Sequence, residues 1–155
     1  MTLKTDLLGT SFDLLRDRET EFTQAFYGTL FTDYPEVKPL FATTNMKEQA
    51  KKLFASLVLV VNTLKQPDQL VPALKGLGTR HVKYGVLPEH YPLVGSTLLK
   101  AMAATLKAQW TPEFEAAWAE AYSAITEIML DGTEYPPADG RNRTNAVQLE
   151  ESIKG

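Results

Sequence analysis

Residues 76–99 read GLGTRHVKYGVLPEHYPLVGSTLL, and they contain both histidines of the protein, His81 and His90. The two histidines lie on either side of a break at Gly85 and Pro88. A helix leading into Gly85 would align five side chains along one face, at alternating spacings of four and three: Leu70, Leu74, Leu77, His81 and Tyr84. The spacing therefore predicts that His81 points into the core.

An inward His81 permits two interpretations. A buried imidazole is costly unless something binds or hydrogen-bonds it. Neutral histidine is the commonest metal ligand and the usual axial ligand of haem iron. A single histidine on an apolar helix face is nevertheless more often a core residue satisfied by a hydrogen bond. The spacing alone does not choose between these interpretations.

Composition limits the classes of function that need to be considered. The chain has 155 residues, of which 44% are hydrophobic and 23% charged, as expected for one globular domain. The net charge of −3 gives no electrostatic reason to expect nucleic acid or an anionic membrane as a partner. The absence of cysteine excludes disulfides, thiolate metal sites and thioether-linked cofactors. The longest apolar run, residues 57–61, is too short for a membrane span, and no signal-peptide pattern follows Met1, so we expect a cytoplasmic protein.

Helical periodicity runs through the chain up to about Gly132, and no segment alternates with the period of a strand. The predicted helices are 6–16, from 20 to about 33, a short one over 35–41, 46–64, one leading to residue 84 after a turn at 66–68, from 88 to 106, and 112–131. Proline at the first helical position and Thr111 as an N-cap mark the start of the last helix. The pattern predicts an all-α domain over residues 1–132. Residues 133–155 are polar and rich in helix breakers, which predicts a loose tail with a short helix near 145–153.

Four segments, in this order along the chain, resemble a known family. They are Phe26-Tyr27 followed by Leu30-Phe31, the run 35–41 (PEVKPLF), the run 81–95 (HVKYGVLPEHYPLVG) and the run 117–122 (AWAEAY). Together they resemble bacterial single-domain haemoglobins and, equally, the globin domain of flavohaemoglobins. The resemblance covers about residues 3–132, and the run beginning at His81 is its most specific part. It implies a globin fold of about seven helices around haem b.

The resemblance implies a proximal side built on His81 as the metal ligand. Members of the family hold this histidine with a tyrosine and a glutamate, and Tyr91 matches the tyrosine. A carboxylate on the second imidazole nitrogen makes the ligand more electron-rich. The expected glutamate position falls on Thr133, with Glu134 one residue later and Asp131 two residues earlier, so Glu134 is the candidate and the carboxylate could also be missing.

On the opposite, distal side the resemblance assigns Tyr27 and Gln49, and it places Phe41 against the porphyrin. A phenol and an amide can both donate hydrogen bonds to dioxygen on the iron. The alternatives are a core tyrosine bonded to a backbone carbonyl and an exposed glutamine at a helix start.

Eight apolar residues are further candidates for the lining of the haem slot, with plain core packing as the alternative for each. They are Leu53, Leu57, Leu77, Val86, Val94, Leu98, Ile125 and Met129. The sequence also suggests a structural or surface role for His90, and a solvated face or contacts to haem propionates for Lys47, Lys51, Arg80 and Lys83.

Two functions use the same pocket. The first is nitric oxide dioxygenation to nitrate at a haem that binds dioxygen, nitric oxide and carbon monoxide. This reaction needs an electron donor, and because no Gly-x-Gly-x-x-Gly fingerprint occurs, we expect a separate reductase as partner. The second is oxygen transport or storage without turnover. A sensor globin is less favoured because no output domain is attached, and the motif around His81 argues against a scaffold without haem.

Overall fold

The computed structural model describes residues 4–131 and residue 133, and within these residues the secondary structure is entirely helical. The α-helices are α1 (Thr5–Arg16), α2 (Glu19–Asp33), α3 (Met46–Thr63), α4 (Pro67–Lys83), α5 (His90–Leu106) and α6 (Pro112–Asp131). Two 3-10 helices, Pro35–Phe41 and Lys107–Gln109, follow α2 and α5. The predicted all-α class and the predicted order of helices are confirmed.

Local capping explains where several helices begin. The Oδ1 atom of Asn45 accepts hydrogen bonds from the backbone N–H groups of Lys47 and Glu48, at 3.1 and 3.2 Å, at the start of α3. Thr111 caps α6 as predicted, because its Oγ1 accepts from the N–H of Phe114 at 3.1 Å.

The fifth helix begins two residues later than the sequence suggested. Residues 87–90 form a turn in which the N–H of His90 donates to the carbonyl of Leu87 at 2.9 Å. The Nδ1 atom of His90 accepts from the N–H of Leu87 at 3.0 Å. These two bonds fold Pro88 and Glu89 into the turn, and they give His90 the structural role expected of it.

One hydrophobic core joins all six α-helices, with Phe12, Phe22, Met102 and Trp118 among its fully buried members. The indole Nε1–H of Trp118 is satisfied inside this core, since it donates to the Oγ of Ser11 at 2.7 Å. This bond ties α1 to α6.

Two glycines allow helices to approach more closely than a side chain would permit. A Cβ atom on Gly78 would collide with the backbone carbonyl of Met129, so α4 lies directly on α6 at this point. A Cβ atom on Gly95 would lie 2.6 Å from the ring of Tyr122, so α5 meets α6 in the same way. The contacts fix the end of α4 and the beginning of α5 relative to α6.

The predicted tail, including the short helix near 145–153, lies outside the described residues. Among the residues that are described, no helix is both long and apolar enough to cross a membrane.

Candidate functional site

His81 lies in the last turn of α4 and is half-buried. Its Nδ1 atom is 2.8 Å from the carbonyl oxygen of Leu77, one turn earlier in the same helix. A carbonyl can only accept, so Nδ1 carries the proton and Nε2 keeps its lone pair. No hydrogen bond to Nε2 occurs within residues 4–131 and 133.

The surroundings of His81 keep the imidazole neutral. Burial lowers its pKa below the ordinary value, the hydrogen bond to Leu77 opposes this, and the positive charge of Arg80 adds to the lowering. A neutral ring with a bonded Nδ1 and an available Nε2 is the state in which histidine binds a metal. The donor set at this position therefore fits an axial haem ligand.

Tyr91 packs against His81, as expected for a residue that helps to hold it. The two rings are stacked, with centroids 6.3 Å apart and planes at 28°. Tyr91 itself is held by α6, because the hydroxyl of Tyr122 donates to the Tyr91 carbonyl oxygen at 2.7 Å. Burial raises the pKa of Tyr122 far above its ordinary value, so this hydroxyl stays protonated and remains a donor.

The distal candidates form a second cluster. Tyr27 is buried on α2, and the side chain of Gln49 on α3 lies close enough to its hydroxyl to affect its pKa. Burial raises the pKa of Tyr27 and the nearby Gln49 amide partly opposes the rise, so the phenol stays protonated at neutral pH. Phe41 meets the Tyr27 ring edge-on at 5.8 Å, and Phe31 meets Phe41 at 5.4 Å. The structure thus brings together Tyr27, Gln49 and Phe41 from three separate elements.

All eight lining candidates belong to the core or pack against it. Leu57, Leu98 and Met129 are buried, and the other five are half-buried: Leu53, Leu77, Val86, Val94 and Ile125. Between α3 and α4 lies a cavity of about 280 Å³, lined on the α4 side by Leu74, Leu77 and Arg80 and on the α3 side by Ser56 and Val60. Of the residues predicted for the haem slot, only Leu77 lines this cavity, so the cavity is not the predicted slot.

Neither Thr133, at the expected position, nor Asp131, two residues earlier, supplies the proximal carboxylate expected from the sequence. The Thr133 hydroxyl donates to the carbonyl of Leu130 at 2.6 Å. The carboxylate of Asp131 lies 3.4 Å from the Nζ of Lys75, which assigns it to an ion pair between α6 and α4. Glu134, the remaining candidate, lies outside the described residues.

The sequence did not predict the contacts in which backbone atoms position the site residues. The Leu77 carbonyl orients the imidazole, Tyr122 holds Tyr91, and Gly78 sets α4 on α6. The only available signal was the position of the glycines, Gly78 one turn before His81 and Gly95 one turn after Tyr91.

Comparison with known proteins places this arrangement in a family. The family model described as Globin matches residues 24–129. The chain belongs to the globin family. It is 36% identical over 110 residues to a flavohaemoprotein of Deinococcus radiodurans, a match that covers 70% of this globin and 27% of the relative. It is 35% identical over 117 residues to a globin-like protein of Aquifex aeolicus, covering 76% of this globin and 82% of that protein.

A solved structure agrees with these matches. The bacterial globin of Campylobacter jejuni superposes with a TM-score of 0.70 at 29% identity, covering 83% of this chain and 92% of that one. This globin spans about a third or less of the flavohaemoproteins it matches, for example 32% of the Bacillus subtilis protein and 27% of the Deinococcus radiodurans protein. The family and these relatives together make the chain a haem globin.

Proposed function

We propose that this globin binds haem b through Nε2 of His81 and binds dioxygen, nitric oxide and carbon monoxide on the side of Tyr27 and Gln49. We further propose that it uses this site to convert nitric oxide to nitrate, with electrons from a separate reductase. The bound haem supplies the iron at which dioxygen and nitric oxide react.

The distal pair of Tyr27 and Gln49 is the observation that carries the proposal. A protonated phenol, buried beside an amide side chain, is a hydrogen-bond donor in a water-poor site. Such a donor stabilises a ligand that carries partial negative charge and has little effect on an uncharged one such as carbon monoxide. The pair therefore favours slow release of dioxygen, which leaves time for nitric oxide to arrive.

The other residues have supporting roles in this proposal. Phe41, Leu53 and Leu57 exclude water from the slot. The remaining lining residues would pack against the haem: Leu77, Val86, Val94, Leu98, Ile125 and Met129. Tyr91 keeps the imidazole from rotating, and Glu134 remains the predicted source of a proximal carboxylate.

Absorption spectroscopy tests the haem site directly. Purified protein should show a strong Soret band that shifts on reduction and again on adding carbon monoxide. His81→Ala should lose the band or show it weakened and displaced, with recovery when imidazole is added. His90→Ala is the matched control, because its ring bonds only a turn, and it should keep the normal spectrum. A normal spectrum in His81→Ala would contradict the assignment of the ligand.

A second measurement separates dioxygenation from oxygen transport. Oxygenated protein is mixed rapidly with nitric oxide, and nitrate is measured. Dioxygenation predicts one nitrate for each haem, followed by repeated turnover when a reductant is supplied. If the protein instead releases dioxygen rapidly and nitric oxide simply replaces it without forming nitrate, it is an oxygen carrier.

A further inference from the structure

Tyr84 contacts the proposed metal ligand and also faces solvent. Its ring lies beside the imidazole of His81, with centroids 6.1 Å apart and planes at 55°. The two residues are three positions apart, which places them on the same face of a helix. The helix α4 ends at Lys83, however, and Tyr84 is 62% exposed. This one side chain therefore connects the surroundings of the ligand with bulk water.

The other tyrosines near the proposed haem are shielded from solvent. Tyr91 also packs against the His81 ring, with centroids 6.3 Å apart, but it is only 4% exposed. The distal Tyr27 is 9% exposed. In the part of the chain that the structure describes, Tyr84 is the one tyrosine that is mostly exposed. A tyrosine that becomes a neutral radical must lose a proton as well as an electron, and Tyr84 can give that proton directly to water.

We propose that Tyr84 is a redox-active residue that loses an electron and a proton when a peroxide oxidises the haem-loaded protein. The inference rests on the part of the proposed function in which His81 binds haem. The bound haem supplies the iron at which the peroxide is reduced.

The electrons and atoms of this reaction balance with two chains for each peroxide. Hydrogen peroxide takes up two electrons and two protons, its O–O bond breaks, and two molecules of water form. Each electron and each proton come from the phenol of one Tyr84, whose O–H bond breaks. A neutral phenoxyl radical is left on each of the two chains.

Coupling of the two radicals gives a stable product. A carbon–carbon bond forms between the ring positions next to the two phenolic oxygens. The hydrogen on each bonded carbon then moves to the oxygen, which restores both phenols without further transfer of electrons. The product is dityrosine, a covalent link between two chains at Tyr84. The reaction requires two rings that can reach each other, and the high exposure of Tyr84 meets this requirement.

Ring contacts favour Tyr84 over the tryptophans as the residue that is oxidised. Among the described residues, the aromatic rings that contact His81 are those of Tyr84 and Tyr91. Trp118 packs against Phe12 and is 1% exposed. Electron transfer becomes slower as the distance grows, so the side chain in contact with the ligand is oxidised first.

The test adds equimolar hydrogen peroxide to the haem-loaded ferric protein. Electron paramagnetic resonance of rapidly frozen samples should show a tyrosyl radical. The product should show dityrosine fluorescence and run as a covalent dimer in denaturing gels, and mass spectrometry should locate the link at Tyr84. Tyr84→Phe keeps the ring but has no phenolic hydrogen to lose, so it should lose both the tyrosyl signal and the dimer.

Two controls accompany this variant. Tyr34→Phe is the matched substitution, because Tyr34 is half-buried and its ring does not contact His81. It should give the same yield of dimer as the unchanged protein. Cyanide binds ferric haem iron and should suppress the radical and the dimer. Both variants should keep the normal Soret band and its shift with carbon monoxide, which shows that they fold and hold haem.

Three results would overturn the proposal. One is a dimer that forms in Tyr84→Phe with the yield of the unchanged protein. Another is a link that mass spectrometry assigns to a different residue. The third is dityrosine that forms equally well in the presence of cyanide, because the peroxide would then act without the iron.

Nitrate formation separates this proposal from the proposed function. If nitric oxide is converted to nitrate but peroxide leaves Tyr84 unchanged, the role of Tyr84 is wrong and the dioxygenase proposal stands. If Tyr84 is oxidised but no nitrate forms, the opposite holds. A protein that binds no haem would overturn both.

Discussion

The two sides of the proposed haem slot are built by different means. On the distal side, Tyr27, Gln49 and Phe41 meet through their own side chains, from three separate elements. On the proximal side, His81 and Tyr91 are held by backbone carbonyls: Leu77 fixes the imidazole and Tyr122 holds the Tyr91 carbonyl. The difference predicts that distal substitutions change ligand chemistry with little loss of stability, whereas proximal substitutions act first on the packing of helices.

We expect the largest loss of stability from Gly78→Ala, on the proximal side. The new Cβ would collide with the backbone of Met129, so α4 must move away from α6 and carry His81 with it. Overpacking against backbone that cannot rotate away should lower the free energy of unfolding by about 3 kcal/mol. Urea denaturation of the haem-loaded protein measures this.

Gly76→Ala provides the control for that experiment. It lies two residues earlier in the same helix, where a Cβ would meet only the end of the Arg80 side chain at an ordinary 3.6 Å. It should stabilise the protein by about 0.5 kcal/mol, since alanine favours a helix over glycine. Equal stability of the two variants would contradict the close approach of α4 and α6.

Tyr27→Phe tests the distal side. Removal of the phenol hydroxyl deletes a hydrogen bond of about 1.4 kcal/mol to the bound ligand, so dioxygen should dissociate roughly tenfold faster. Stopped-flow replacement of dioxygen by carbon monoxide gives the rate. The unfolding free energy should change by less than about 1 kcal/mol, because the ring and its contact with Phe41 are kept. An unchanged dissociation rate would remove Tyr27 from the site.

Tyr122→Phe makes the corresponding deletion on the proximal side. It removes the 2.7 Å hydrogen bond to the Tyr91 carbonyl, which should cost about 1 kcal/mol of stability. The iron–histidine stretching band in resonance Raman spectra of the ferrous protein should shift, because Tyr91 would pack less tightly on His81. The dioxygen dissociation rate should change far less than in Tyr27→Phe. If dioxygen dissociated as much faster in Tyr122→Phe as in Tyr27→Phe, the proximal and distal sides would not act independently.

Asn45→Ala should have the smallest effect. Loss of the cap at the start of α3 should cost about 0.5 to 1 kcal/mol and loosen the turn that leads to Gln49. We expect dioxygen to dissociate only two- to threefold faster, because Tyr27 still donates. Asn45→Asp, which keeps the capping oxygen, should restore both values.

The sequence predicted the elements of the fold more completely than the contacts between them. Periodicity and capping predicted α3 as 46–64 against the observed Met46–Thr63, and Thr111 as the cap of α6. The side chains of the distal cluster, Tyr27, Gln49 and Phe41, were assigned through the resemblance to a known family and not from residue type alone. Backbone carbonyls are present at every position, so no residue type marks Leu77 as the partner of the imidazole. Likewise, Asp131 was a candidate carboxylate until the structure showed it paired with Lys75.

The hydrogen bond between His81 and Leu77 has a mechanical consequence. Both ends of the bond belong to α4, so the bond restrains rotation of the imidazole relative to the helix. A shift or rotation of α4 therefore moves the imidazole by the same amount. The orientation of this one side chain therefore reports the position of an entire helix.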